Sequence, residues 1–314
     1  MTVRFLPARP SHLLGAALTA SLVIGLAAQP ALAAPQPLAG APTGVRDAAS
    51  ASPLAGAFAA AAARYGVPRD LLVALGYAET RLDGHGGAPS ASGGYGLMHL
   101  VSNPTLHTLD EAMALTGLDR DTLRTDPAAN IAGAAAVLRS YADAAGLTAA
   151  QRADVNHWYS AVVRYGGAAT PAAARLYGDA VYELLGTGIN AGTVWVAPRA
   201  VAPHRGDLAR VAPLGAATGV GTLSTDYGPA AWVPASSANY TVSNRESSYP
   251  INYIVIHVAQ GSYAGTISWF QNPAAGVSAH YTVRSSDGAV TQSVRDKDIA
   301  WHAGNWTYNT QSIG

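Results

Sequence analysis

Three histidines and one glutamate are the residues of this 314-residue chain whose types and settings invite chemistry. His257 follows Ile254-Val255-Ile256, His280 lies in Val277-Ser278-Ala279-His280-Tyr281, and His302 lies in Ala300-Trp301-His302-Ala303-Gly304. Imidazoles at the edges of rigid strands hold a divalent metal with little reorganisation, so the three suggest a His₃ zinc site. Their wide separation forms no short-range metal motif, which leaves open a plainer reading as core or loop residues. Glu79 is the carboxylate of interest. At 100° per residue, Leu71, Leu72, Leu75, Ala78, Glu79 and Leu82 fall within one arc of about 120°, which puts Glu79 on the apolar face of a helix over 69–82. Burial raises a carboxyl pKa, as a general acid working near neutrality requires; the alternative is a structural glutamate satisfied by Arg81 or nearby polar groups.

The elements that must position these residues fall into two textures. Residues 53–186 read as mostly α. Leu54 to Tyr65 is an Ala-rich helix stopped by Gly66, Pro68 opens a second, and Asp126-Pro127 starts a third as N-cap and first helical residue, with Gly146 as its stop. Trp158 to Leu185 carries further helix, broken at Gly166-Gly167. Residues 187–225, rich in Ala, Gly, Pro and Val, read as a linker, with a short strand expected near Thr193 to Val196. From 226 to 314 the texture is α/β. Strands are expected at Tyr253 to Val258, His280 to Arg284 and Val290 to Val294, a hairpin turn at Asp287-Gly288, and a helix from Thr266 to Gln271.

Composition narrows the partners. Lys plus Arg equals Asp plus Glu at 19 each, so no nucleic acid or anionic membrane surface is indicated. Arg4 and Arg9 precede an apolar run from Leu13 to Ala28, and Ala31-Leu32-Ala33 offers a cleavage pattern, so residues 1–33 read as an export signal and 34–52 as a flexible tether. A secreted, cell-wall location without stable membrane insertion after cleavage follows. Zero cysteines exclude disulfides, and stability is expected to come from apolar cores alone.

Glu79-Thr80, the loop Gly84 to Gly94, Gly96-Leu97-Met98-His99, Asp126-Pro127 through Asn130-Ile131, and Arg164-Tyr165-Gly166-Gly167 together resemble the lytic transglycosylase family. The resemblance implies a lysozyme-like fold in which Glu79 protonates a glycosidic oxygen and the sugar's 6-hydroxyl closes an anhydro ring. A single carboxylate serves that route. His99 stands where the family carries glutamine, and Gly166 where it carries asparagine. A wall-binding module without catalysis is the alternative for this half.

The strand before His257, Val-Ser-Ala-His-Tyr, Ser286-Asp287-Gly288, Ala300 to Gly304, and Asn309 through Ser312-Ile313-Gly314 closely resemble the peptidoglycan amidase family that includes T7-type lysozyme and the peptidoglycan recognition proteins. That resemblance replaces the three-histidine site. It implies Zn²⁺ as cofactor with His257 as first ligand, the other two ligands beyond Gly314, His280 as a core-shaping strand residue, and His302 and Asn309 at the substrate. Ala279, where some members carry a catalytic tyrosine, implies a glutamate base also beyond Gly314. The fold class expected is thus multidomain: an N-terminal lysozyme-like helical domain, then an incomplete α/β mixed-sheet amidase domain. The implied activity is zinc-dependent cleavage between N-acetylmuramic acid and the L-alanine of the stem peptide in peptidoglycan. A non-catalytic peptidoglycan-binding protein is the alternative.

Overall fold

The computed structural model describes residues 5–7, 52–212, 224 and 226–314. The export signal over 1–33 and the tether over 34–52 lie outside the described residues, save Ser52 and β1, Phe5–Pro7. Among the described residues no helix is long and apolar enough to cross a membrane.

The N-terminal part is helical, and its ends follow from local chemistry. α1, Pro53–Tyr65, begins where Ser52 Oγ accepts the Ala55 N–H and stops at Gly66, whose φ of 63° only glycine adopts freely. α2, Arg69–Thr80, stops short of the expected Leu82 because Arg81 and Leu82 both turn into the left-handed region. Thr80 Oγ1 then donates to Leu97 O at 2.7 Å, tying the helix end to the loop that follows the hairpin strand β2, Gly94–Tyr95. Its partner β3 is Leu100–Val101. α3, Thr108–Thr116, and α4, Arg120–Thr125, lead to α5, Pro127–Ala144, capped by Asp126 as its sequence predicts. α6, Ala149–Ala153, α7, Tyr159–Gly166, and α8, Pro171–Thr187, complete the bundle. Phe58, Leu71, Leu75, Met98, Ile131, Leu138, Trp158 and Val181 fill a core closed to solvent.

Asn130 on α5 fixes the Gly96–His99 turn. Its Oδ1 accepts the Met98 N–H at 2.8 Å, and its Nδ2 donates to Tyr95 O and Leu123 O at 3.1 and 2.8 Å. Gly96, at φ 69°, must be glycine for a second reason: a Cβ there would stand 2.3 Å from Asn130 Nδ2.

The stretch read as a linker is docked up to residue 212. β4, Ile189–Ala191, and β5, Val194–Val196, pair antiparallel, and Ile189, Val194 and Val196 join the helical core. Arg199 pairs with Asp70, and Arg205 Nε reaches Asp179 at 2.7 Å. Sparse apolar residues at hairpin spacing bury here because the helices offer them a ready surface, which local composition does not reveal.

The C-terminal part is built of short strands in mixed sheets. β6, Ala231–Trp232, β7, Tyr240–Thr241, a short helix α9, Arg245–Ser248, and β8, Tyr253–Val255, precede α10, Tyr263–Gln271. β9, Tyr281–Val283, β10, Val290–Gln292, β11, Ile299–Ala300, α11, Trp306–Gln311, and β12, Ser312–Ile313, follow. β8 runs antiparallel to β1 and parallel to β12, while β10 runs parallel to β6 and antiparallel to β9. The β9–β10 connection carries the predicted Asp287-Gly288 turn, with Gly288 at φ 75°. α10 packs on the helical part, where Ser268 Oγ accepts the Ala169 N–H at 2.7 Å.

Apolar burial alone does not hold this part. Among the described residues its separate apolar cluster is Ala235, Val294 and Ala300, with Tyr240 and Phe270 against them, while Val233, Ala264 and Ile267 join the helical core. A polar frame supplies the rest. Arg245 is fully buried and donates to Asp296 O at 2.6 and 2.9 Å and to Ser312 O at 2.6 Å, which ties α9 to the chain before β11 and to β12. His280, also fully buried, accepts the Gly314 N–H at Nδ1 and sits 2.9 Å from Arg245 Nη2. Burial first, and the Arg245 charge second, push the His280 pKa down to about 3.

Two outcomes follow. Asn130→Ala leaves buried backbone groups unpaired and should cost about 2–4 kcal/mol in chemical denaturation; a change under about 0.5 kcal/mol would contradict the assigned role. For His280, the unfolded chain takes up a proton below about pH 6.5 that the folded chain refuses until about pH 3. Stability should therefore fall as pH drops through that window, and the slope should flatten in His280→Gln, measured by denaturation at several pH values.

Candidate functional site

One cleft of about 890 Å³ opens between the helical part and the mixed-sheet part, lined by members of both sequence-predicted constellations but not by the buried His280. Glu79, His99 and Tyr165 stand on one wall, and His257, His302 and Asn309 on the other. Gly261, in the loop after His257, packs against His99; a Cβ there would stand 3.4 Å from the ring.

Glu79 lies on the buried face of α2, as its spacing predicts, and is 6% exposed. Arg81 does not satisfy it. That guanidinium instead stacks over Tyr77 at 4.7 Å and donates to Ser285 Oγ. The carboxylate is met by Tyr177 of α8, whose hydroxyl donates to Oε1, and by His99, whose Nδ1 is 3.5 Å from Oε2. Burial, reinforced by the Glu79 charge, raises the pKa values of Tyr177 and Tyr165 well above that of an ordinary phenol. Both hydroxyls therefore stay protonated: Tyr165 donates to Met98 O at 2.6 Å, and Tyr177 is a permanent donor to Glu79. Tyr177 was absent from the sequence reading. Its signal, a tyrosine on the apolar face of the last helix, is indistinguishable from a core aromatic until the helices are packed.

His257 lies two residues beyond β8 rather than at its end, and only part of its ring is buried. Its Nε2 is 3.2 Å from Nδ1 of His302, and His302 Nε2 is 3.2 Å from Ser312 Oγ. Burial lowers the pKa of both histidines, that of His302 to about 4 with the His257 charge contributing, so both are neutral at neutral pH, the form that ligates metal. Asn309 is buried, and its Oδ1 accepts the N–H groups of His302 and Ala303 at 3.1 and 2.8 Å. It thus fixes the loop that presents His302.

The three histidines form a chain of ring contacts, His257 to His302 at 5.4 Å and His302 to His280 at 5.7 Å, but do not converge on a point. The lone pair of His280 is spent on the Gly314 N–H, and among the described residues no three potential ligands group together. A catalytic zinc needs three protein ligands. The His257–His302 nitrogen spacing suits two neighbouring corners of a tetrahedron, yet these residues do not by themselves hold a catalytic zinc ion.

Comparison with known proteins agrees with the two textures. Residues 56–173 match the family model described as transglycosylase SLT domain, and residues 247–314 match that of N-acetylmuramoyl-L-alanine amidase. Over 90 residues the chain is 51% identical to N-acetylmuramoyl-L-alanine amidase A of Achromobacter lyticus, covering 29% of this chain and 49% of that protein. The chain spans about half the length of this curated relative. No solved structure matches the chain significantly. The helical part thus matches a transglycosylase SLT domain, and the mixed-sheet part matches an N-acetylmuramoyl-L-alanine amidase domain.

Proposed function

We propose that this protein is an exported peptidoglycan hydrolase that cuts the amide between N-acetylmuramic acid and the L-alanine of the stem peptide, with Zn²⁺ as cofactor. The observation that carries this reading is the 51% identity to a named amidase over the stretch matched there. A neutral His257 at the cleft supports its role as one zinc ligand, and the cleft position of His302, with its main chain held by Asn309 and its ring beside Ser312, supports a role at the substrate. When bound, zinc supplies polarisation of the scissile carbonyl and a bound water of lowered pKa. Residues 1–33 are proposed as the export signal that delivers the protein to the cell wall, with 34–52 as tether and 226–314 as the amidase part.

A second activity is favoured by the setting of Glu79: a buried carboxyl that faces the cleft and keeps a permanent donor on one oxygen. In this reading Glu79 gives its proton to the glycosidic oxygen as that bond breaks. It then takes the proton of the sugar's 6-hydroxyl as the anhydro ring closes.

Digestion of purified wall by the full-length gene product separates the two. Amide cleavage exposes new N-terminal alanine, counted by amino-group labelling, and His257→Ala should abolish it. Glycan cleavage yields anhydro-muramic ends, detected by mass spectrometry, and Glu79→Gln should lower them at least about 100-fold. Failure of wild type to expose alanine would overturn the amidase reading, and an unchanged Glu79→Gln yield would overturn the glycan one.

A further inference from the structure

We propose that His99 is a positioning residue for Glu79, donating from Nδ1 to the glutamate and steadying the carboxylate that forms when Glu79 gives up its proton. This rests on the reading of Glu79 as the acid in glycan cleavage. The hydroxyls beside Nε2 are placed so that one can donate to it, which assigns the ring hydrogen to Nδ1 in this proposal. Gly94 N–H donates to Ser90 Oγ at 3.0 Å, which leaves the Ser90 hydroxyl hydrogen free to point at His99 Nε2, 2.8 Å away. Ser92 Oγ, 3.1 Å from Ser90 Oγ and 3.4 Å from Nε2, extends the chain of hydroxyls. With Nε2 accepting, the neutral ring carries its proton on Nδ1, the nitrogen 3.5 Å from Glu79 Oε2. The opposite tautomer would aim a lone pair at the carboxylate left once Glu79 has given up its proton.

The backbone is shaped around this ring. His99 holds φ at 50°, a left-handed conformation costly for a side chain of its size, and its main-chain N–H closes the turn onto Gly96 O at 3.0 Å. Gly94 is bare where a Cβ would stand 2.2 Å from the imidazole. The ring is mostly buried, with 11% of its side chain exposed, yet it lines the cleft. Tyr177 on α8 thus donates to one oxygen of the carboxyl group, and His99 on the hairpin turn faces the other at 3.5 Å.

Glu79 transfers its proton to the glycosidic oxygen as the C1–O bond breaks. The 6-hydroxyl oxygen then bonds to C1, and its proton returns to Glu79. Tyr177 and His99 keep their hydrogens throughout, and their contribution is greatest while Glu79 is ionised between the two transfers.

The test uses the full-length protein on purified wall, with initial rates of anhydro-muramic end formation giving kcat and KM. His99→Gly removes the ring without a penalty at φ 50°, and should lower kcat about 10- to 100-fold with KM within about twofold. His99→Asn keeps an N–H donor near the Nδ1 position and tolerates the left-handed backbone, so it should recover most of that loss. Ser90→Ala leaves the ring in place but releases its tautomer, and should lower kcat severalfold at a temperature where the variant is fully folded, beside the modest fall in thermal midpoint that loss of the Gly94 N–H partner brings; it carries the test if His99→Gly does not fold. The proposal is overturned if His99→Gly folds and keeps the wild-type kcat, if a folded His99→Asn is as impaired as the glycine variant, or if Ser90→Ala is silent. Unchanged product in Glu79→Gln, or none in wild type, would instead bring down the reading of Glu79 on which it rests.

Discussion

A carboxyl group withdrawn from water must be met by donors, and the helical part of this protein is organised around meeting one. Glu79 is 6% exposed on α2, and its oxygens face a phenol from α8 and an imidazole from the β2–β3 turn. Left alone at that depth, an ionised carboxylate would cost several kcal/mol. The Gly96 turn, the Asn130 clamp beneath it and the Thr80 bond to Leu97 are the parts that keep the imidazole in reach. The same arrangement that makes burial tolerable leaves the group at the wall of the cleft.

The mixed-sheet part solves a different problem. Its strands are two or three residues long and its separate apolar cluster is small, while Val233, Ala264 and Ile267 pack into the core of the helical part. Arg245 takes the place of a larger core by holding main-chain carbonyls of separate segments, and His280 fills the space beside it as a neutral ring. A buried guanidinium whose hydrogens meet main-chain carbonyls fixes the relative placement of the segments that carry them. That geometry sets β12 and the His302 loop against the cleft, with Asn309 carrying the last contact to the loop's main chain.

Local signals in the sequence carried far. The stripe through Leu71, Leu75 and Glu79, the Asp126-Pro127 start, Gly66 as a stop and the Asp287-Gly288 turn all depend on neighbours in sequence, and each is found where its chemistry places it. What was hidden depends on partners far along the chain. Tyr177 meets a glutamate 98 positions away, and Arg245 meets Ser312 across 67. The hairpin over Ile189–Val196 reads as linker because its few apolar residues find their surface only after the helices assemble. The three histidines invited a common site, but hydrogen bonding to Gly314 withdrew His280 from it.

The account stands on Glu79 meeting a glycosidic oxygen. The most direct measurement is a crystal structure of the Glu79→Gln protein soaked with a short peptidoglycan glycan strand. The account predicts a glycosidic oxygen within hydrogen-bonding distance, about 3 Å, of the residue 79 side chain, with Tyr177 and His99 in their present places. A strand bound elsewhere on the molecule, or bound in the cleft with no glycosidic oxygen near residue 79, would contradict it.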